Sequence, residues 1–277
     1  MKKCAYCGKE YSDDAERCLI DNEPLSDAGV EAHRVVATTV EPSISSPAIA
    51  FTDRQMRIVE VILVCAIAFG PSVLSSAHYL SSNMEGSRNG PFSWVTGSLR
   101  HASSLGLLWY VLMRRQQSFA DLGFRWTWKN VPPSIILVIC GRIAFFAVYQ
   151  AIYFAKLTAL SHQSSSAYVS RYLFGYGINW FTLADQFLNP FFEELIVRAY
   201  LMTEITFLTN SASKAILIST ALQTSYHFYQ GAPAAIAHGA TFLIYSIYYA
   251  RTNRIGPIVL AHLYVDVGYT FLYIFQR

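Results

Sequence analysis

Two adjacent glutamates and an arginine stand within residues 189–200, a stretch that is otherwise apolar enough to lie in a membrane. A charged side chain at mid-bilayer costs about 2.5 to 3.5 kcal/mol on insertion scales, so charges at that depth are functional candidates. Residues four apart share one face of a helix, and acid before base is the favoured order, so Glu194 and Arg198 are expected to pair. Glu193 then faces a different direction and is expected to act on a group from another helix.

Two histidines downstream are the expected partners of Glu193. His227 and His262 lie in separate apolar segments, and Asp266 follows His262 by one helical turn, where it can orient the imidazole. Three helices would bring a carboxylate, two imidazoles and a second acid to membrane depth, and these groups suit the activation of water. The alternative is an ion pair that only fixes helix packing, with Glu193 protonated and idle. The second acid and the two histidines favour a site.

Long apolar segments must position these groups. Hydrophobic residues make up 53% of the 277 residues, and only seven acidic residues occur beyond position 60, which leaves a polar head on an apolar body. Because about 20 apolar residues cross a bilayer, we predict an all-α polytopic membrane protein with about seven or eight transmembrane helices. The predicted spans are 56–79, 92–113, 132–155, 175–208, 214–230, 233–250 and 255–276. The fourth span contains Pro190, so it is either two segments or one kinked helix.

The first 25 residues have the ligand spacing of a small metal-binding head. Cys4 and Cys7 stand three apart, as two zinc ligands on one tight turn do, and Cys18 is followed at the same spacing by Asp21. The stretch resembles a short zinc ribbon in which aspartate replaces the fourth cysteine, and carboxylate oxygen is also a zinc ligand. We therefore predict a zinc-ribbon-like head over residues 1–25. A metal-free remnant or a pair of thiols is the alternative.

The distribution of positive charge predicts the orientation of the chain. Residues 26–55 are rich in Ser, Pro, Thr and Ala and are expected to form a flexible linker to a membrane domain over 56–277. With the head in the cytoplasm, nine loop cations fall inside, against four outside, as the positive-inside rule requires. A reducing compartment also favours metal over disulfide for the cysteines. The net charge is only +3 and no basic patch has interleaved aromatics, which argues against a nucleic-acid partner.

The ordered motifs resemble those of the CAAX prenyl protease type II and bacteriocin-processing intramembrane proteases, the CPBP or ABI family. That family carries Glu-Glu-x-x-x-Arg, Phe-x-x-x-His and His-x-x-x-Asn on separate transmembrane helices. The glutamate pair with Arg198 matches the first motif in full. His227 matches the second, with Gln223 at the phenylalanine position, and His262 matches the third, with Asp266 in the last position. The resemblance covers about residues 175–270, and an ordered triple is more specific than any single motif.

The resemblance implies a role for each matching residue. Glu193 would activate the water that attacks the scissile carbonyl, and His227 would help to hold that water. His262 and Asp266 would stabilise the oxyanion, although Asp266 donates a hydrogen bond only when protonated and otherwise orients His262. Two histidines and two acids can bind zinc or can work without it, so a catalytic metal stays open.

The implied function is an intramembrane endopeptidase that hydrolyses peptide bonds near the membrane surface. Its partners would be a peptide or protein substrate, the lipid bilayer and a cytoplasmic partner of the head. The departures at Gln223 and Asp266 keep open a non-catalytic scaffold or bacteriocin-immunity protein of the same fold. A transporter with Glu193 as its proton site is a third reading, which the lack of an internal repeat disfavours.

The head is expected to bind one zinc ion through Cys4, Cys7, Cys18 and Asp21, because the two turns present ligands at ribbon spacing. The measurement is the zinc content of a peptide of residues 1–30 at neutral pH, with Cys7→Ser as the variant. Less than one zinc per peptide, or binding that Cys7→Ser does not weaken, would contradict the prediction.

Overall fold

The chain divides into two units, Met1–Ala50 and Phe51–Arg277, in a computed structural model. The structure describes residues 2–3, 10–17, 26–27, 52–82, 91–155, 178 and 180–275. In the first unit, the strands Lys2–Lys3 (β1), Glu10–Tyr11 (β2) and Ser26–Asp27 (β3) form an antiparallel sheet with β1 in the centre. The four predicted zinc ligands lie outside the described residues.

The second unit is helical wherever it has regular structure in the described ranges, which confirms the all-α prediction for this part of the chain. Its helices are α1 (Asp53–Ser82), α2 (Pro91–Arg114), α3 (Val131–Phe154), α4 (Trp180–Glu193), a π-helical segment (Glu194–Tyr200), α5 (Leu201–Thr209), α6 (Ala212–Ser225), α7 (Ala232–Thr252) and α8 (Gly256–Phe275). Short 3-10 turns at Trp128–Asn130 and Phe228–Gln230 precede α3 and α7.

Two stretches are long and apolar enough to cross a membrane by length and composition, Asp53–His78 and Trp128–Phe154, while Gly256–Leu272 is a shorter apolar helix. Of the seven predicted spans, two therefore meet this measure within the described residues. Large apolar side chains on α1 and α3 face outward, among them Leu74 and Ile143, which are 73% and 64% exposed. Apolar faces of this kind need lipid or a partner to cover them, which supports a membrane protein.

Residues 180–209 form one uninterrupted helix that changes type at Glu194. Pro190 lies inside α4 without ending it. The next seven residues are π-helical. The first residue of α5 continues this pattern, because the N–H of Leu201 donates to the carbonyl of Ile196, five residues back. The structure thus decides between the two alternatives for this span in favour of a single helix. All seven π-helical residues are buried, and such segments are rare and frequent at functional sites.

The helix that carries the glutamates packs among α2, α6 and α8, and α3 packs along α7 and α8. The approach of α3 to α7 depends on Gly141, because a Cβ there would meet the Thr241 methyl at 2.8 Å. The Thr241 hydroxyl instead donates to the Gly141 carbonyl at 2.8 Å. The direct packing of α6 and α8 against the glutamate helix brings the regions of His227 and His262 close to it.

A buried cluster of charges joins α1, the end of α2 and α5. Arg115 pairs with Glu60 and, at 2.6 Å, with Glu204, which also accepts from Arg57 at 3.3 Å. Glu60 and Glu204 are only 7% and 3% exposed. Each acid therefore depends on the arginines for compensation of its buried charge.

Removal of the charge of Glu204 should destabilise the fold, because Glu204→Gln removes the buried carboxylate that Arg57 and Arg115 share. We expect a loss of about 3 kcal/mol, the scale for breaking a buried pair. The measurement is the unfolding transition of the purified protein in detergent. Asp53→Asn is the matched control: Asp53 also pairs with Arg57, but its side chain is 59% exposed, so less than about 1 kcal/mol should be lost. Equal losses in the two variants would show that the cluster contributes no more than surface pairs do.

Candidate active site

Glu194 opens the π-helical segment and has both of its oxygens occupied. Oε2 pairs with Nη1 of Arg198, four residues on, and Oε1 accepts a hydrogen bond from Nδ1 of His262 at 2.7 Å. Glu194 and Arg198 are completely buried. Glu194 therefore joins its own helix to α8, where His262 lies.

The guanidinium of Arg198 lies over two aromatic rings of α7. Its Cζ is 5.4 Å from the centroids of both Phe242 and Tyr245. Such cation–π contacts stabilise the charge without neutralising it. Its Nε and Nη2 have no hydrogen-bond partner within the described part of the chain, so Glu194 is the group that compensates Arg198.

Glu193 faces a different set of neighbours, as consecutive residues on a helix must. Its Oε2 accepts a hydrogen bond from the side-chain amide of Gln223 at 2.9 Å. Glu193 is 6% exposed and Gln223 is completely buried. His227, His262 and the Tyr226 side chain also interact with Glu193, but neither histidine is hydrogen-bonded to it as the Gln223 amide is.

Gln223 also binds His227, through its backbone. Nδ1 of His227 lies 2.8 Å from the Gln223 carbonyl. A carbonyl only accepts, so Nδ1 carries the hydrogen, and in the neutral ring Nε2 is then an acceptor. One residue thus holds Glu193 by its side chain and sets the tautomer of His227 by its carbonyl. It does so at the position where the family motif has phenylalanine.

His227 lies in a turn rather than within a helix, because α6 ends at Ser225. The span predicted over 214–230 is therefore helical only over its first part and in a short 3-10 turn near its end. Ser76 of α1 donates to the Tyr226 carbonyl at 2.8 Å and holds this turn. The His227 ring then packs 4.8 Å from the centroid of Phe242 and 5.6 Å from that of His238.

Asp266 lies near His262 and contacts a residue that the sequence motifs did not single out. Its Oδ1 is 3.6 Å from Nε2 of His262, which is within ion-pair range but too long for a hydrogen bond. Its Oδ2 accepts from the side-chain amide of Asn189 at 3.4 Å. Asn189 is four residues before Glu193, so the two share a helix face. That spacing is the signal in the sequence that points to Asn189.

A second buried acid–imidazole pair lies beside the site. His101 of α2 and Asp185 of α4 approach to 3.2 Å, and the His101 ring stacks on Phe192 at 4.4 Å. The motifs found in the sequence include neither of these residues. Because Phe192 precedes Glu193, this pair packs α2 against the helix that carries the glutamates.

Three ligand atoms of the site lie close together. Glu193, Glu194 and His262 each offer one, and these atoms lie within 4.8 Å of one another. Glu194 binds Arg198 with one oxygen and Nδ1 of His262 with the other. Nε2 of His262 makes no hydrogen bond within the described part of the chain, and a ligating histidine commonly donates its other ring N–H to a carboxylate. The three residues could therefore hold a zinc ion, which would supply Lewis-acid chemistry, while the buried charge of Arg198 beside Glu194 opposes a dication. We derive no step through a metal.

Comparison with known proteins agrees with the geometry. Residues 175–268 match the model of a protein family described as type II CAAX prenyl endopeptidase Rce1-like. No curated protein and no solved structure matches the chain. The matched segment includes both glutamates, Arg198 and both site histidines. The match over residues 175–268 confirms the resemblance of the motifs to the Rce1-like type II CAAX prenyl endopeptidases.

Proposed function

We propose that the chain is an intramembrane endopeptidase in which Glu193 is the general base. The observation that carries the proposal is the unequal surroundings of the two glutamates. Glu194 is held at both oxygens by cationic or imidazole nitrogen, whereas Glu193 is bound by a neutral amide. An amide donor positions a carboxylate without supplying a proton to it, so Glu193 retains the ability to accept one.

In the proposed reaction, Glu193 takes a proton from a water molecule whose oxygen attacks the carbonyl carbon of the scissile bond. Nε2 of neutral His227 accepts the second hydrogen of that water and so orients it. The proton on Glu193 then passes to the leaving amine as the carbon–nitrogen bond breaks. This sequence balances without a further reactant, because the water supplies both the hydroxyl of the new acid and a proton of the new amine.

We propose that Asn189 contributes to stabilising the oxyanion of the tetrahedral intermediate. The family motif has an asparagine amide at the position of Asp266, and a carboxylate there donates only when protonated. The Asn189 amide reaches the same place from α4, 3.4 Å from Asp266. An amide has two N–H donors, so one can hold Asp266 while the other points to developing charge. When its ring carries both hydrogens, His262 would offer Nε2–H as a further hydrogen-bond donor to the oxyanion.

The proposal also includes the arrangement of the whole chain. We propose a multi-pass protein of about seven or eight spans with its head in the cytoplasm, supported by the loop charges and by the span lengths that a bilayer requires. The zinc of the head, bound through Cys4, Cys7, Cys18 and Asp21, remains a prediction. Such a head would recruit a cytoplasmic partner or substrate to the membrane domain.

The two glutamates should respond differently to the same substitution. Glu193→Gln should remain folded and lose activity by about a hundredfold or more, the scale for loss of a general base. Glu194→Gln should be destabilised by about 3 to 5 kcal/mol, because the buried charge of Arg198 loses its counter-charge. The measurements are peptide hydrolysis in proteoliposomes and thermal stability in detergent. If Glu193→Gln keeps full activity, Glu193 is not the base. If the wild-type protein hydrolyses no peptide, the scaffold reading is favoured.

Gln223→Leu should slow hydrolysis while leaving the protein folded. Leucine has a similar volume but no amide, so Glu193 loses a hydrogen bond to a charged group, which is worth about 1.5 to 3 kcal/mol and corresponds to about a tenfold to hundredfold change in rate. Ser219→Ala is the control, because Ser219 is buried one turn earlier on α6 and donates to the Val197 carbonyl at 3.0 Å, outside the site. A wild-type rate in Gln223→Leu would show that the amide does not position the base.

A further inference from the structure

An arginine stands at the middle of α3, far from either end of the helix. Arg142 is eleven residues after Val131 and twelve before Phe154, which places it about 16 to 18 Å from each end at 1.5 Å per residue. That distance is greater than an arginine side chain can span, so its charge does not reach either membrane surface. Charges at such depth face the protein interior or a water-filled cavity.

The contacts of Arg142 with other described residues include no counter-ion. Nη1 donates to the Tyr269 hydroxyl at 3.0 Å, and the guanidinium lies 5.1 Å from the Phe145 ring centroid. Neither group is acidic, and no acidic side chain among the described residues forms an ion pair with Arg142. Arg115 and Arg198, by contrast, each pair with glutamate. Arg142 therefore keeps donors and a full charge for a ligand.

Arg142 lies on the side of α3 that faces the catalytic groups. Phe145, under the guanidinium, contacts the ring of His238 at 4.6 Å, and His238 lies 5.6 Å from the ring of His227. Arg142 also interacts electrostatically with His238 and with Tyr245. The ring of Tyr245 also lies under the guanidinium of Arg198. Two aromatic rings thus separate the guanidinium from the histidine that would orient the water.

We propose that Arg142 binds the C-terminal carboxylate of the peptide substrate, with the Tyr269 hydroxyl holding the guanidinium in position. This inference rests on the proposed function. A CAAX motif ends its protein, so a bond cleaved within the motif lies at most three residues from a free carboxylate. The contacts that connect His227 to Arg142 through the rings of His238 and Phe145 are 5.6, 4.6 and 5.1 Å, so the two groups lie no more than about 15 Å apart. Three extended residues span about 10 Å, and hydrogen bonds at each end add to that reach. The planar guanidinium matches a carboxylate with two parallel hydrogen bonds.

The test compares two peptides of one sequence, one ending in a free carboxylate and the other in an amide. The full-length protein is placed in phosphatidylcholine nanodiscs, and kcat/KM is measured for both peptides. We expect the wild-type protein to prefer the acid by tenfold or more, and Arg142→Gln to reduce this ratio to about one. Arg142→Lys should retain part of the preference, because the charge remains. Arg100→Gln is the matched control: Arg100 lies within α2 and binds the Ser72 hydroxyl, so its loss should leave the ratio unchanged.

A binding measurement separates failure of this inference from failure of the proposed function. The Glu193→Gln protein should bind the acid peptide at least tenfold more tightly than the amide, and addition of Arg142→Gln should abolish the difference. That result supports the carboxylate site even if no hydrolysis occurs, in which case only the proposed function fails. Equal binding of the two peptides, or an equal loss for both in Arg142→Gln, overturns the inference and leaves Arg142 a structural role. If peptide binding depends on Arg142 only when the nanodiscs contain phosphatidylglycerol, the ligand of Arg142 is a lipid phosphate. That result also overturns the inference.

Discussion

The buried ion pair between Glu194 and Arg198 is the interaction on which the site depends. Neither side chain is exposed, and removal of one partner from such a pair destabilises a protein by about 3 to 5 kcal/mol. Arg198 therefore holds Glu194 in place, and Glu194 in turn holds His262 through its other oxygen. One pair of charges thus connects the π-helical segment to α8 and places the imidazole at the centre of the site.

Because Arg198 and His262 hold both oxygens of Glu194, Glu193 is the glutamate that we propose for catalysis. The helix directs the two carboxylates to different surroundings, and the surroundings of a carboxylate determine whether it can serve as an acid or a base. Gln223 provides Glu193 with a neutral hydrogen-bond donor, while its carbonyl orients His227. A residue that departs from the family motif therefore links Glu193 to His227, and under the proposed function the departure is compatible with an active site.

Polar groups are concentrated inside this fold while large apolar side chains face outward, as a bilayer requires. Glu60, Arg115 and Glu204 compensate one another within the helix bundle, whereas Leu74 is 73% exposed. Against this background Arg142 and Arg100 are alike, because each contacts a hydroxyl and an aromatic ring among the described residues. Arg142 differs from Arg100 in its position, beside Phe145 and the ring of His238.

The sequence by itself determined what depends on local helical spacing. The order of Glu194 and Arg198 predicts their pairing, and the motifs predict the family that matches residues 175–268, because both depend on residues a few positions apart. Tertiary structure decided which distant residues meet. The contact of Gln223 with Glu193 depends on how α6 packs against the glutamate helix, and the contact of Asn189 with α8 depends on the approach of α4. The π-helical segment is likewise a result of packing, since all seven of its residues are buried and no residue type specifies that geometry.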